Sequence, residues 1–390
     1  GVRNVVVGHG DDDFDAMLRK LEKFGELPPG FDIEATLAAL EQAKGVSDDD
    51  YAPFEMQNLL ESLKELSPAA FDYLVMGLSD DQLAALDERS AMRNVNGLSH
   101  WGQIDFHSLF LSNVSGPMLN RVTEQWPSIE PELGGVDSVE DGDIPLPHWG
   151  DPPDGNTLYG YDEDGNLDNS ADDVDQGSVG DCWMQAKMAA LAQEHPEWVT
   201  DHVEQNSNGT ITITMYDSDG NAHEVTVTDQ IPVDDDGDPV YSGNSGVDSN
   251  WSTYYEKAFA LASQHGSDGE TGYGGIEGGW GADDAQMMTG EDPGDIDNEG
   301  GFIGIGDHES MSDVREHFEN GDAVVIGMNG DTPPDEIKDT YHGNHEYYVK
   351  GFTDDGKIIL GNPWGENEPD LIMTEEQFNE HCYDAAVINQ

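Results

Sequence analysis

The spacing of apolar residues changes once along this chain, and that change bounds what it can fold into. Up to about residue 130 apolar side chains recur every three or four positions, as in Glu34–Ala43 and Phe54–Leu66, which is the period of an amphipathic helix. Ser67-Pro68 offers an N-cap and a first-turn proline ahead of Phe71, Leu74 and Val75. Ser79 with Asp80, Asp81 and Gln82 opens a further helix to about Met92, and another helical stretch lies near Phe106–Trp126. A small all-helical domain over 1–135 is therefore predicted. Between about 131 and 175, Pro, Gly and Asp displace the periodicity, so 136–172 reads as a linker. From Gln176 onward helices at Cys182–Glu194 and Tyr254–Gln264 mix with strands at Thr210–Tyr216, Glu224–Thr228, Ala323–Met328, Tyr347–Phe352 and Lys357–Gly361. Asp217-Ser218-Asp219-Gly220 and Asp354-Asp355-Gly356 are turn sequences, Thr271–Gly281 is a Gly-rich loop, and no internal repeat emerges. The fold class expected is α+β.

Charge narrows the partners. The chain has 82 acidic against 15 basic residues, a formal −67. Affinity for phosphate backbones comes from Lys and Arg displacing counterions, so a nucleic-acid partner is excluded. The same surface attracts cations and repels itself at low ionic strength, which points to a high-salt or secreted, extracellular setting, with specific calcium sites as an addition. No apolar run reaches the ~18–20 residues of a membrane span, so a soluble protein is expected. The opening Gly1-Val2-Arg3 segment carries no signal-peptide pattern and is compatible with a processed terminus.

Two cysteines, Cys182 and Cys382, do not make a disulfide scaffold, and Cys182 is expected to be free. In Gln176-Gly177-Ser178-Val179-Gly180-Asp181-Cys182-Trp183 a loop with two glycines delivers a cysteine to the first turn of a helix. The helix N-terminus favours negative charge and should lower the thiol pKa, producing the thiolate that attacks in acyl transfer. Gln176, six residues earlier, can place its NH₂ beside the Cys182 N–H as a two-donor oxyanion hole, each donor worth roughly 3–4 kcal/mol. A buried inert cysteine is the rival reading, but Gly, Asp and Gln neighbours make no apolar niche. The base is sought among 13 histidines. His345 opens an alternating strand and the next strand ends in Gly361-Asn362-Pro363-Trp364-Gly365, so antiparallel pairing can set His345 beside Asn362. The Asn carbonyl would fix the imidazole, and Trp364 would shield the bond from water.

These segments resemble the papain-like core of calpains, in the family's order Cys, His, Asn. Gln176–Trp183 matches Gln-Gly-x-x-Gly-Asp-Cys-Trp, and Asn362–Gly365 matches Asn-Pro-Trp-Gly with an acidic Glu366 after it. Trp251 with Tyr255-Glu256-Lys257-Ala258-Phe259-Ala260 is similar to the family's Trp-x-x-x-x-Glu-Lys-Ala-Tyr-Ala helix, and Gly278-Gly279 and Thr289-Gly290 to the loop that follows. Ile372–Phe378 is similar to its Met-Ser/Thr-x-x-x-Phe closing segment. The resemblance covers about 173–388. It implies a two-lobed papain-like core, with lobe 1 over 173–275 carrying Cys182 and Gln176 and lobe 2 over 276–390 carrying His345 and Asn362. It implies a cysteine endopeptidase acting on protein substrates, in a bacterial or archaeal-type variant lacking the penta-EF-hand domain. Two stretches depart from the pattern. The family's Gly-His-Ala-Tyr is here Asn344-His345-Glu346-Tyr347, and its apolar run after Trp183 is the more polar Met184-Gln185-Ala186-Lys187.

Calcium binding in the two catalytic lobes is a further implication, with Asp173 at a family ligand position. Asp234-Asp235-Asp236 and Glu277 are additional acidic candidates. Asp162-x-Asp164-Gly165-Asn166-x-Asp168 is similar to an EF-hand loop with its register broken, and a turn is the favoured reading. His342-x-x-His345 lacks the second ligand pair of a zinc site, and adjacent His381-Cys382 cannot face each other on a helix. Two other classes compete with the protease. One is a catalytically silent calpain-fold binding or effector protein recruited through its helical domain, whose helices could also serve regulation, docking or export. The other is a transglutaminase-like transferase, which usually has Asp where Asn362 stands.

Overall fold

A computed structural model of the chain describes residues 55–91, 98–243, 246–266, 271–295 and 310–390. The helix expected over Glu34–Ala43 lies outside them, as do Phe54 and Met92. The chain divides into two compact units. Unit 1 takes residues 1–130 with 205–212 and 223–228; unit 2 takes 131–204, 213–222 and 229–390.

The described part of unit 1 is largely helical: Glu55–Lys64, Pro68–Gly77, Asp80–Ala91, His100–Asn113 and Gly116–Gln125. The single stretch expected near Phe106–Trp126 is two helices, because Ser115-Gly116-Pro117 restarts the chain with Pro in the first turn. Their apolar stripes meet around Phe71, Phe106, Phe110 and Trp126, with Phe71 edge-on to Phe110 at 5.2 Å and Trp126 at 4.9 Å from Phe110. Edge-to-face rings gain from their quadrupoles as well as from burial. The Trp126 indole N–H donates to Leu83 O at 2.7 Å, so the largest ring in this core leaves no polar atom unpaired. Arg121 tethers the turn after Pro68–Gly77 by donating to Val75 O and Leu78 O.

Unit 2 mixes helix and sheet, and the chain as a whole is α+β. The strands, in chain order, are β1 His148–Gly150, β2 Val203–Gln205, β3 Ile211–Tyr216, β4 Ala222–Val227, β5 Ile231–Val233, β6 Gly294–Asp295, β7 Ala323–Met328, β8 His345–Phe352, β9 Ile358–Gly361, β10 Leu371–Met373 and β11 Cys382–Ile388. The principal sheet runs β10-β9-β8-β7-β11-β6, antiparallel throughout. Every residue of β7 is buried, as a central strand covered on both faces requires. Helix Cys182–Glu194 packs on β7 and β8 and is buried from Trp183 to Ala192, which explains its weak amphipathic pattern.

Residues 136–172, read as a linker, lie in unit 2. Their β1 pairs antiparallel with β5, and Asn156 Nδ2 donates to Asn250 Oδ1 at 3.0 Å. Polar and backbone bonds hold this segment, so apolar periodicity gives it no signature. The helix expected from Tyr254 starts at Trp251, where the Trp251 N–H bonds Leu158 O at 2.9 Å. Among the described residues no helix is long and apolar enough to cross a membrane.

Candidate active site

Cys182 is the first residue of its helix, and Asp181 is the N-cap. Neither cysteine is in a disulfide. His345 opens β8 opposite Met328, and the pairing of Tyr348 with Gly361 brings the residues just beyond β9 back to the start of β8. Residue 361 must be glycine, since a Cβ there would collide with the Tyr348 ring. His345 Nε2 and Asn362 Oδ1 lie 2.9 Å apart, and both residues are buried. The amide orientation is fixed independently, because the Trp364 N–H donates to the same Oδ1 at 3.2 Å. Oδ1 can only accept, so Nε2 carries the proton and Nδ1 is left as the basic nitrogen. The Trp364 ring sits 4.7 Å from the His345 ring and covers it. The His342 ring lies tilted against Trp364 at 4.3 Å, and the Asn362 partner is His345.

The helix and the strand meet at the thiol. The Glu346 N–H, next in sequence to His345, donates to the Cys182 thiol, and the Trp183 N–H faces it as well. The Gln176 N–H donates to Pro363 O at 2.8 Å, tying the loop before Cys182 to the segment that carries Asn362. The Gln176 side-chain NH₂ donates to Val179 O at 2.8 Å, inside its own loop, which leaves it one further N–H. Cys182, Gln176, His345, Asn362 and Trp364 are thus drawn together. Cys382 Sγ donates to Asp384 O at 3.4 Å, and buried His381 lies edge-on to Tyr341 at 5.1 Å, so these two form no dyad.

The electrostatics differ from the sequence expectation. Burial pushes the Cys182 thiol up to about 12, with the charges of Glu346 and Asp181 adding to it and the Glu346 N–H opposing. Burial likewise pushes His345 down to about 4, against the Asn362 hydrogen bond. Although Cys182 keeps some surface exposure, its sulfur sits among protein atoms, and desolvation outweighs the helix N-terminus. Both shifts favour the neutral thiol and neutral imidazole over the ion pair.

Several residues that sequence reasoning missed hold the loop in place. Glu277 accepts from the Gly180 N–H at 2.9 Å and the Asp137 N–H at 2.7 Å. Those amide bonds make it a bracket for the nucleophile loop. Gln185 Nε2 donates to Asp181 Oδ2 at 3.0 Å and to Glu256 Oε1 at 3.2 Å, holding two fully buried carboxyls together. Burial raises Asp181 to about 7 and Glu256 well above the usual carboxylate range, so the two share a proton near neutral pH. The polar Met184–Lys187 stretch was the visible signal, but it names no partner.

Asp173, at the calcium-ligand position expected from the sequence, is hydrogen-bonded within the protein. Ser249 Oγ donates to its Oδ1 at 2.7 Å, and Trp251 Nε1 at 3.1 Å and the Ser170 N–H at 3.0 Å donate to its Oδ2. Three donors occupy most of the lone pairs of this buried carboxylate, whose pKa burial raises, so a cation there would compete with them. The acidic loops are similarly self-satisfied. Asp162 Oδ1 accepts from the Asp164 and Asn166 N–H groups, and Asp234 Oδ1 from those of Asp236 and Asp238, which makes them Asx turns. Among the described residues, no cluster of three His, Cys, Asp or Glu side chains is placed to hold a metal.

A family model described as calpain family cysteine protease matches residues 163–369, just over half of the 390-residue chain. The chain belongs to the calpain family. Its domain is that of a cysteine peptidase, and the match spans Cys182, His345 and Asn362 alike. No curated protein sequence matches the chain as a relative.

Proposed function

We propose that this calpain-family chain is an endopeptidase that hydrolyses protein substrates with Cys182 as nucleophile, His345 as base and Asn362 as the residue that orients it. The observation that carries the reading is the 2.9 Å bond from His345 Nε2 to Asn362 Oδ1 at a strand end whose next N–H touches the Cys182 thiol. Because burial favours the neutral pair, the thiol proton passes to His345 Nδ1 as the sulfur attacks the carbonyl carbon. The second Gln176 N–H and the Cys182 N–H receive the developing oxyanion once a substrate occupies the site. Collapse breaks the C–N bond, the imidazolium gives its proton to the leaving amine, and a thioester remains. Water, deprotonated by Nδ1, then cleaves the thioester, releasing the acid and restoring the thiol. The two-lobed papain-like arrangement over 173–275 and 276–390 belongs to the same proposal, with the substrate between the lobes.

The test is cleavage of unfolded casein by wild type and by Cys182→Ala, with EDTA or Ca²⁺ added at fixed low and high NaCl. Cleavage by wild type and at least ~10³-fold less by Cys182→Ala supports the reading. Silence of wild type in every condition moves the non-catalytic binding protein ahead. At fixed ionic strength EDTA should leave the rate unchanged. Specific activation by Ca²⁺ would reopen the Asp173 carboxylate, with its three donors, as a cation ligand. The −67 charge supports a saline or extracellular setting, and stability rising with NaCl is its expected signature.

A further inference from the structure

The chain departs from the calpain pattern at Met184–Lys187 and at Glu346, and the fold brings these two departures together. Lys187 is 0 % exposed; its Nζ donates to Gly281 O at 3.1 Å and lies 4.5 Å from the centre of the Trp183 ring. Glu346 is 2 % exposed, and its carboxylate lies against Gly281 and Gly327, where a Cβ would collide with it or crowd it. Lysine and glutamate thus converge on Gly281. Among the charges facing Lys187, Glu346 acts most strongly, followed by Asp284, Asp283 and Asp384. Asp384 is itself faced by the Gly281 and Gly327 N–H groups. An ammonium or a carboxylate buried alone would be strongly destabilising, whereas a matched pair is tolerated. Glu346 also donates its backbone N–H to the Cys182 thiol, directly after His345. One residue therefore touches the nucleophile through its backbone, while its side chain faces a lysine on the nucleophile's own helix.

We propose that Lys187 and Glu346 form a buried charge-matched clamp that fixes the His345 end of β8 against the Cys182 helix, making both positioning residues. The inference rests on Cys182 and His345 being the nucleophile and base. Losing Lys187 alone leaves the Glu346 and Asp384 carboxylates against Gly327, next to the thiol segment, without the lysine that faces both. Losing both charges restores the net charge around Gly281 and Gly327, where Asp384 remains, while keeping side chains of similar volume.

The experiment uses the full chain as wild type, Lys187→Met, Glu346→Gln and the double variant. It reads kcat and KM on a peptide, the pH profile of Cys182 alkylation by iodoacetamide, and thermal unfolding. Lys187→Met should lower kcat at least ~10-fold with KM within about 2-fold, and move the alkylation profile to higher pH. The double variant should regain at least ~5-fold in kcat over Lys187→Met and return the profile toward wild type. Wild-type kcat and alkylation in Lys187→Met, or strictly additive losses in the double variant, would overturn the clamp. If Lys187→Met does not fold, the clamp still requires the double variant to fold, with kcat within ~10-fold of wild type; a double variant that also fails overturns it. A wild type that neither cleaves peptide nor is alkylated at Cys182 overturns the protease reading, and the clamp with it.

Discussion

The helical unit and the site-bearing unit bury different things. Around Phe71, Phe106, Phe110 and Trp126 the interior of unit 1 is apolar, and its few polar inclusions answer one another: His107 Nε2 meets Asp87 Oδ1 at 3.0 Å and Ser90 Oγ at 2.9 Å. Behind Cys182, by contrast, unit 2 buries Asp181, Gln185, Lys187, Glu256 and Glu346, each 2 % exposed or less. Apolar packing is non-directional and indifferent to pH. Buried charges hold one geometry strictly and make it depend on protonation. The first interior is organised for stability, while the second fixes particular atoms at the cost of harder conditions.

The largest expected effect tests whether that contrast is real. Trp126→Ala should lower unfolding free energy by about 3–5 kcal/mol in a denaturant titration. The folded fraction should keep kcat within about 2-fold; a matching loss of activity would erase the distinction between the units. Asn362→Ala should do the reverse, with kcat down about 10²-fold and little movement of the thermal midpoint.

A pH series sharpens the comparison further. His345 sits near 4 against an ordinary 6.5, so the acid limb of kcat should fall well below 6.5. The folded pKa is depressed, so protonation favours the unfolded chain, and this stability is lost as pH drops from 6.5 through 4. Asp181 and Glu256 act in the opposite sense. Their folded pKa values are raised, so the stability they confer is complete below the ordinary carboxylate range. It is lost as pH rises, through about 7 for Asp181 and further for Glu256. Asp181→Asn should therefore flatten the decline in melting temperature between pH 5 and 8, and an unchanged slope would remove the shared proton. The smallest effect belongs to the exposed turns: Asp162→Ala should shift melting temperature within scatter, with or without Ca²⁺, and a clear calcium-dependent shift would reopen that loop as a cation site.

Much of the site was legible because its signals are local. A Gly-flanked cysteine at a helix start needs only neighbours in sequence, and Asn362-Pro363-Trp364-Gly365 after a short hairpin needs only strand register. The helices of unit 1 announced themselves by period and capping residues. The connection over 136–172 was not legible, since hydrogen bonds to 231–233 and 250 leave no periodic trace. Nor was the role of Glu277, whose charge suggested a cation while two amides from distant loops claim it.

By itself the sequence determined the α+β class, the family, most of the described helices between residues 55 and 125, and the candidate cysteine, histidine and asparagine. Those are properties of residue type, order and short-range spacing, which a chain carries unfolded. Tertiary structure alone decided the burial that shifts Cys182 and His345, the three donors on Asp173, and the convergence of Lys187 and Glu346 on Gly281. Desolvation and long-range pairing depend on which atoms surround a group, and residues 159 positions apart acquire a common environment only when the chain closes on itself.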